Sequence, residues 1–159
     1  MSEIKVGQSA PDFSLYDSGK NFFTLSEQRG NNVLLLFFPL AFTSVCTAEL
    51  CAVRDDLKIY EQLNVKCYGI SVDSLHTLRK FKEEQHLNFP LLSDFNKEVS
   101  ILYGSLYETF SFGMKGVSKR SAFLINEDGV VRYAEVLENA GQVPDFRAIQ
   151  DILSELHPK

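Results

Sequence analysis

The chain has 159 residues, 45% hydrophobic and 23% charged, which suits one domain with a substantial core and excludes a disordered or membrane-spanning chain. Its net charge of −5 argues against nucleic acid as a partner, because a polyanion needs a basic face. The odd count of 3 cysteines does not fit a secreted disulfide framework, and MSEIKVGQSAPDF lacks the basic and apolar regions of a secretory leader. A reducing, cytoplasmic compartment is therefore expected, with no membrane partner, and a cysteine there matters through reactivity.

In chain order, DFSLYDSGKNFFTL holds two short apolar stretches around DSGK and predicts a hairpin. SEQRGNN is polar and turn-like. VLLLFF is apolar at every position, as expected of a strand buried on both faces of a sheet. From Ser44 onward Leu50, Val53, Leu57 and Tyr60 recur at spacings of three and four, which predicts one helix running to about Leu63. VKCYGISV predicts a second buried strand, and SLHTLRKFKEEQH a helix capped by Ser74. FPLLSD is a short extended piece, and NKEVSILYG a short helix closed by Gly104. Residues 105–119 read as irregular. SAFLI and VVRYAEV flank the turn NEDG as an antiparallel hairpin, and DFRAIQDILSEL behind Pro144 is a final helix. No repeat or linker interrupts the chain, so residues 1–159 are expected to form one domain. The element order predicts an α/β, thioredoxin-like fold: a central mixed sheet flanked by helices, with an N-terminal β-hairpin extension.

The stretch PLAFTSVCTAELC carries two of the three cysteines. The strand before it ends at Pro39, and the following helix starts at Thr43 or Ser44, both good N-caps. Cys46 then lies in the first helical turn, at the carboxyl end of a central strand, which is the functional edge of an open α/β sheet. Unpaired backbone N–H groups and the positive end of the helix dipole meet there and stabilise negative charge on sulfur. Position alone leaves two readings open: a nucleophile, or a small apolar filler.

The residues then show a resemblance. PLAFTSVC carries P-x-x-x-T-x-x-C, the peroxiredoxin signature. FFPLAFTSVCTAEL is similar to the alkyl hydroperoxide reductase E and bacterioferritin-comigratory (Q-type) subgroups, VGQSAPDFSL resembles the family's opening, and KRSAFLINEDGVVRY resembles its late strand pair with a fixed arginine. The resemblance spans nearly the whole chain. It implies that Cys46 is the peroxidatic cysteine, whose thiolate attacks a peroxide and becomes a sulfenic acid. It implies that the Thr43 hydroxyl accepts from the peroxide and donates to the thiolate, that Arg120 holds the thiolate and polarises the O–O bond, and that Pro39 walls the pocket. In many relatives a glutamate at the position of Glu49 anchors the arginine; otherwise Glu49 is a solvated helix residue. Some subgroups add a second arginine, but Arg132 and Arg147 lack the expected context.

Cys51 lies five residues after Cys46. An intact helix separates their Cα atoms by ~8.6 Å, beyond the roughly 4.4–6.8 Å of a disulfide. C-x4-C is nevertheless the Q-type spacing, which implies that Cys51 resolves the sulfenic acid after the helix start unwinds. The alternative is a buried helix residue, with resolution by an external thiol. Cys67, inside a strand, is expected to be inert. His76, His86 and His157 follow no metal-ligand spacing, no C-x-x-C or phosphate-binding glycine motif is present, and Met114 sits in a glycine-flanked loop. The resemblance implies a peroxidase of hydrogen peroxide, small organic hydroperoxides or peroxynitrite that needs no metal, haem or flavin. Its reductant would be thioredoxin-, glutaredoxin- or mycoredoxin-like, and the family suggests a homodimer. The rival reading is a redox relay on the same fold that passes disulfides to a partner.

Overall fold

A computed structural model describes residues 3–156 of the chain. An N-terminal hairpin pairs β1 (Ser14–Tyr16) with β2 (Phe22–Thr24). Its turn is shaped by Asp17, whose Oδ1 accepts from the Gly19 and Asn21 backbone N–H groups. β3 (Asn32–Phe37) leads to α1 (Ser44–Asp55), α2 (Leu57–Gln62) and β4 (Val65–Ser71). Next come α3 (Leu75–Glu84), β5 (Leu91–Ser93) and α4 (Glu98–Leu102). β6 (Ser121–Ile125), β7 (Val131–Val136) and α5 (Phe146–Leu156) follow. The main sheet has the order β5-β4-β3-β6-β7, parallel from β5 to β3 and antiparallel from β3 to β7. It is the mixed, helix-flanked sheet with a preceding hairpin that the element order implies.

The apolar run of β3 from Val33 onward is explained by what covers it. Side chains alternate across a strand, so one residue set meets each layer. Leu34, Leu36 and Phe38 pack with Leu50 and Val53 of α1, Leu78 and Phe81 of α3, and Ile149 and Leu153 of α5. Val33, Leu35 and Phe37 face the other way, toward Phe13 and Phe23 of the hairpin segment and Val99 and Tyr103 around α4. Both faces are therefore buried along Val33–Phe38.

Three departures from expectation have physical causes. The single helix expected to run to Leu63 is two, because Asp56 (φ −101°, ψ 10°) leaves the helical conformation. Asp55 and Asp56 put two carboxylates at a helix C-terminus, where the dipole opposes negative charge. Periodicity concealed the break because Leu50, Val53 and Tyr60 stay buried on either side of it. The strand before the site ends at Phe37, ahead of Pro39, although the Phe38 N–H still bonds to the Ile70 carbonyl. The turn-like SEQRGNN includes one 3-10 turn, Leu25–Gln28. Residues 105–119 are irregular as expected, apart from a 3-10 turn at Ser111–Gly113 and a single bridge from Leu106 to Ser118. Ser74 does cap α3, accepting from the Thr77 N–H at 3.2 Å. Among the described residues no helix is long and apolar enough to cross a membrane.

Candidate active site

The central strand β3 delivers the chain to the carboxyl edge of the sheet, where residues 38–43 turn it into α1. Phe42 takes φ +67° in this turn, the left-handed region that a bulky residue avoids. Its ring packs edge-on against Phe81 of α3, centroids 5.1 Å apart. Thr43 sits at the N-cap position (φ −93°, ψ 150°), but its side chain makes no capping bond. The Thr43 hydroxyl instead donates to the Leu40 carbonyl at 2.8 Å. This corrects the expectation that it donates to sulfur: its one proton is committed to Leu40, and its lone pairs are left to accept. The first helical bond runs from Thr47 N–H to the Thr43 carbonyl. The N–H groups of Ser44, Val45 and Cys46 therefore precede any intrahelical partner.

Cys46 is fully buried in this first turn. Arg120, the residue just before β6, reaches it with Nη2 at 3.2 Å from Sγ. Arg120 is itself only 2% exposed, so it is no surface arginine. Its Nη1 donates to Glu49 Oε1 at 2.5 Å and its Nε to the Ala140 carbonyl at 2.9 Å. Three bonds in three directions fix the guanidinium and leave one hydrogen on each Nη. Glu49 lies one turn beyond Cys46 on the same helix face and is fully buried, which removes the reading of a solvated residue. Burial pushes its carboxyl up from 4.5 to about 7, against the opposing pull of the Arg120 charge. Pro39 is buried in the loop ahead of the helix. Arg132 and Arg147 are exposed and are not among the hydrogen-bond partners of Cys46.

Cys51 is half-buried on another side of α1, and its Sγ donates to Gln85 Oε1, the C-cap residue of α3, at 3.7 Å. A turn of about 140° over five residues accounts for the two thiols facing different neighbours. All three cysteines are free. Cys67 is buried in β4, and burial pushes its thiol up to about 12, which keeps it protonated and unreactive. His76 and His86 are exposed, and His157 lies outside the described residues. Met114 is exposed in its loop, and its carbonyl accepts from the Phe110 N–H.

A buried cysteine at a helix N-terminus, touched by a buried arginine, is a site built to hold a thiolate. Residues 6–134 match the AhpC/TSA family. The chain is 38% identical over 156 residues to alkyl hydroperoxide reductase E of Mycobacterium bovis, covering 96% of this chain and 98% of that protein.

The chain belongs to the AhpC/TSA family.

Its fold matches the crystal structure of peroxidoxin BcpB from Mycobacterium tuberculosis with a TM-score of 0.84 at 27% identity, covering 99% of this chain and 100% of that one. It matches peroxiredoxin Q of Xanthomonas campestris with a TM-score of 0.80 at 26% identity, covering 92% of each. This is a peroxiredoxin of thioredoxin-like fold, a thiol-dependent peroxidase. Its substrate is a peroxide and its electrons come from a thiol, and the redox-relay alternative is not favoured.

Two contributors to the peroxiredoxin site escaped the sequence reading. Ala140 acts through a backbone carbonyl, which leaves no side-chain signal. Asp73, just past β4, accepts from the Ala41 N–H at 2.8 Å and the Ser71 hydroxyl at 2.6 Å. Its only sequence signal is a carboxylate just past a buried strand, next to Ser74 and two residues after Ser71.

Proposed function

We propose that Cys46 is the peroxidatic nucleophile of this one-domain peroxidase, acting on hydrogen peroxide and small organic hydroperoxides. The observation that carries the reading is the 3.2 Å contact of Arg120 Nη2 with Cys46 Sγ inside a buried site. The Cys46 thiolate attacks the terminal peroxide oxygen. An S–O bond forms as the O–O bond breaks, Cys46 keeps the attacked oxygen and its hydrogen as a sulfenic acid, and the departing alkoxide or hydroxide takes up a proton from solvent. Arg120 shares its charge between the sulfur and the breaking bond, Glu49 and the Ala140 carbonyl keep it aimed, and Thr43 offers its lone pairs to the peroxide O–H. Pro39 closes the pocket against water.

Cys51 resolves the sulfenic acid: its thiol displaces water and forms the Cys46–Cys51 disulfide. A thioredoxin-, glutaredoxin- or mycoredoxin-like dithiol then reduces that bond by exchange. Supporting this are the half-buried placement of Cys51 and the inert environment of Cys67, which leaves one plausible internal partner. A homodimer belongs to the proposal, supported by the exposed Phe42 and Phe112 rings, the latter 99% exposed. So does a cytoplasmic location, supported by three unbridged thiols. Peroxide consumption by Cys46→Ser tests the assignment, since an alkoxide is not available at neutral pH to replace the thiolate. Loss of turnover is expected, and wild-type turnover would overturn it.

A further inference from the structure

We propose that Asp73 is a positioning residue for the oxidation of Cys46: its carboxylate pins the loop that aims the sulfur. The inference rests on Cys46 being the nucleophile. Among the described residues, the Ala41 N–H is the one hydrogen bond that residues 39–43 make to any other element before α1 begins, and Asp73 receives it at 2.8 Å. The other bonds of this segment are local: the Thr43 hydroxyl to the Leu40 carbonyl, and Thr47 to the Thr43 carbonyl.

Asp73 is rigid enough to serve as that pin. The Ser71 hydroxyl donates to its Oδ2 at 2.6 Å, its own N–H donates to Ser71 Oγ at 3.1 Å, and the Ser93 hydroxyl donates to its carbonyl at 2.7 Å. Asp73 is thus tied to the carboxyl ends of β4 and β5, and through Ala41 it ties the loop to the sheet. The segment it restrains needs restraint, because Phe42 next to Ala41 is left-handed at φ +67° and such a conformation persists only when its surroundings impose it. Phe81 supplies a second hold through the Phe42 ring, but an aromatic contact fixes direction less sharply than a charged hydrogen bond. The same loop carries Thr43 and the first unpaired N–H groups of α1, the groups a peroxide would meet. Misplacement by about 1 Å is enough to cost roughly 10²-fold in a reaction that depends on alignment.

The test compares Asp73→Ala and Asp73→Asn with wild type in two rates at one pH: oxidation of Cys46 by hydrogen peroxide, followed by quench and mass spectrometry, and alkylation of Cys46 by iodoacetamide. Alkylation needs the thiolate but not the peroxide geometry. The expected result for Asp73→Ala is a loss of about tenfold or more in oxidation with alkylation changed by less than about threefold. Asp73→Asn keeps a carbonyl acceptor for Ala41 and is expected to restore oxidation to within about threefold, and it keeps the test open should the alanine variant fold poorly. The proposal is overturned if Asp73→Ala oxidises at the wild-type rate, if it loses both rates in parallel, or if the folded asparagine variant is as defective as a folded alanine variant. Absence of peroxide oxidation at wild-type Cys46 would instead sink the assignment of the nucleophile itself.

Discussion

Glu49 Oε1 accepts a 2.5 Å bond from Arg120 Nη1, while Glu49 Oε2 is buried and, among the described residues, meets no hydrogen-bonding partner. The carboxyl is half satisfied, and burial raises it from 4.5 to about 7 despite the arginine. The sign follows from linkage. Between the unfolded value and about 7 the folded chain binds the extra proton, so Glu49 makes stability fall as pH rises through that window, with the loss complete above it. The expected outcome is that the denaturation free energy of wild type, relative to Glu49→Gln, worsens from about pH 5 to about pH 8. Urea titrations at the two ends check it. A wild type that gains on the glutamine variant with rising pH would mean that the ion pair outweighs burial.

Arg120→Met removes the bonds to sulfur, to Glu49 and to the Ala140 carbonyl together. Oxidation of Cys46 by peroxide is expected to slow by roughly 10²-fold or more, about 2.7 kcal/mol of transition-state stabilisation. The variant is also expected to lose about 1–3 kcal/mol of stability at neutral pH, because the buried Glu49 carboxyl loses its donor and takes up a proton. Rapid-quench oxidation rates on the folded fraction check the first effect. A rate within about threefold of wild type would show that Arg120 does not carry the chemistry.

Helix α1 runs unbroken from Ser44 to Asp55, so the Cα atoms of Cys46 and Cys51 stand ~8.6 Å apart on ideal geometry, too far to bridge. Disulfide formation is expected to unravel the first turns and to release Cys51 from Gln85. The C-terminal end should hold, because the Arg54 Nη1 donates to the Gln85 carbonyl at 2.6 Å and the Asn88 amide donates to the Arg54 carbonyl at 3.2 Å. Amide exchange over residues 43–54 checks this: protection is expected to drop after one equivalent of peroxide, most strongly toward Ser44. The oxidised chain is expected to be the less stable, since a short closed loop returns little entropy for the lost packing of Leu50. Equal protection in both states, with Cys51→Ser keeping full turnover on a thioredoxin-type reductant, would make Cys51 structural.

The strands and helices were readable because their patterns are local. β3 is apolar from Val33 to Phe37, α3 announces its cap at Ser74, and the glycine and polar turns fall between the elements. The split at Asp56 was not readable, because a one-residue break leaves the spacing of Val53 and Tyr60 on one face. Within the site, Cys46 and Glu49 lie one helical turn apart, so their shared face follows from spacing. Arg120 is a distant residue in sequence, and only a resemblance to a family pairs it with them. The direction of the Thr43 hydroxyl depends on the left-handed turn at Phe42, an aromatic residue that gives no sign of that conformation. Backbone acceptors such as Ala140, and a loop anchor such as Asp73, depend on tertiary closure and leave no periodic trace.

The nucleophilic role of Cys46 is tested most directly by trapping the product of its reaction. Cys51→Ser protein, in which a sulfenic acid cannot condense with its neighbour, is treated with one equivalent of hydrogen peroxide in the presence of dimedone, and the modified cysteine is located by peptide mass spectrometry. The account predicts complete consumption of the peroxide and a single dimedone adduct on Cys46, with Cys67 unmodified in its buried strand. An adduct on Cys67, or peroxide left unconsumed beside an unmodified Cys46, would contradict it.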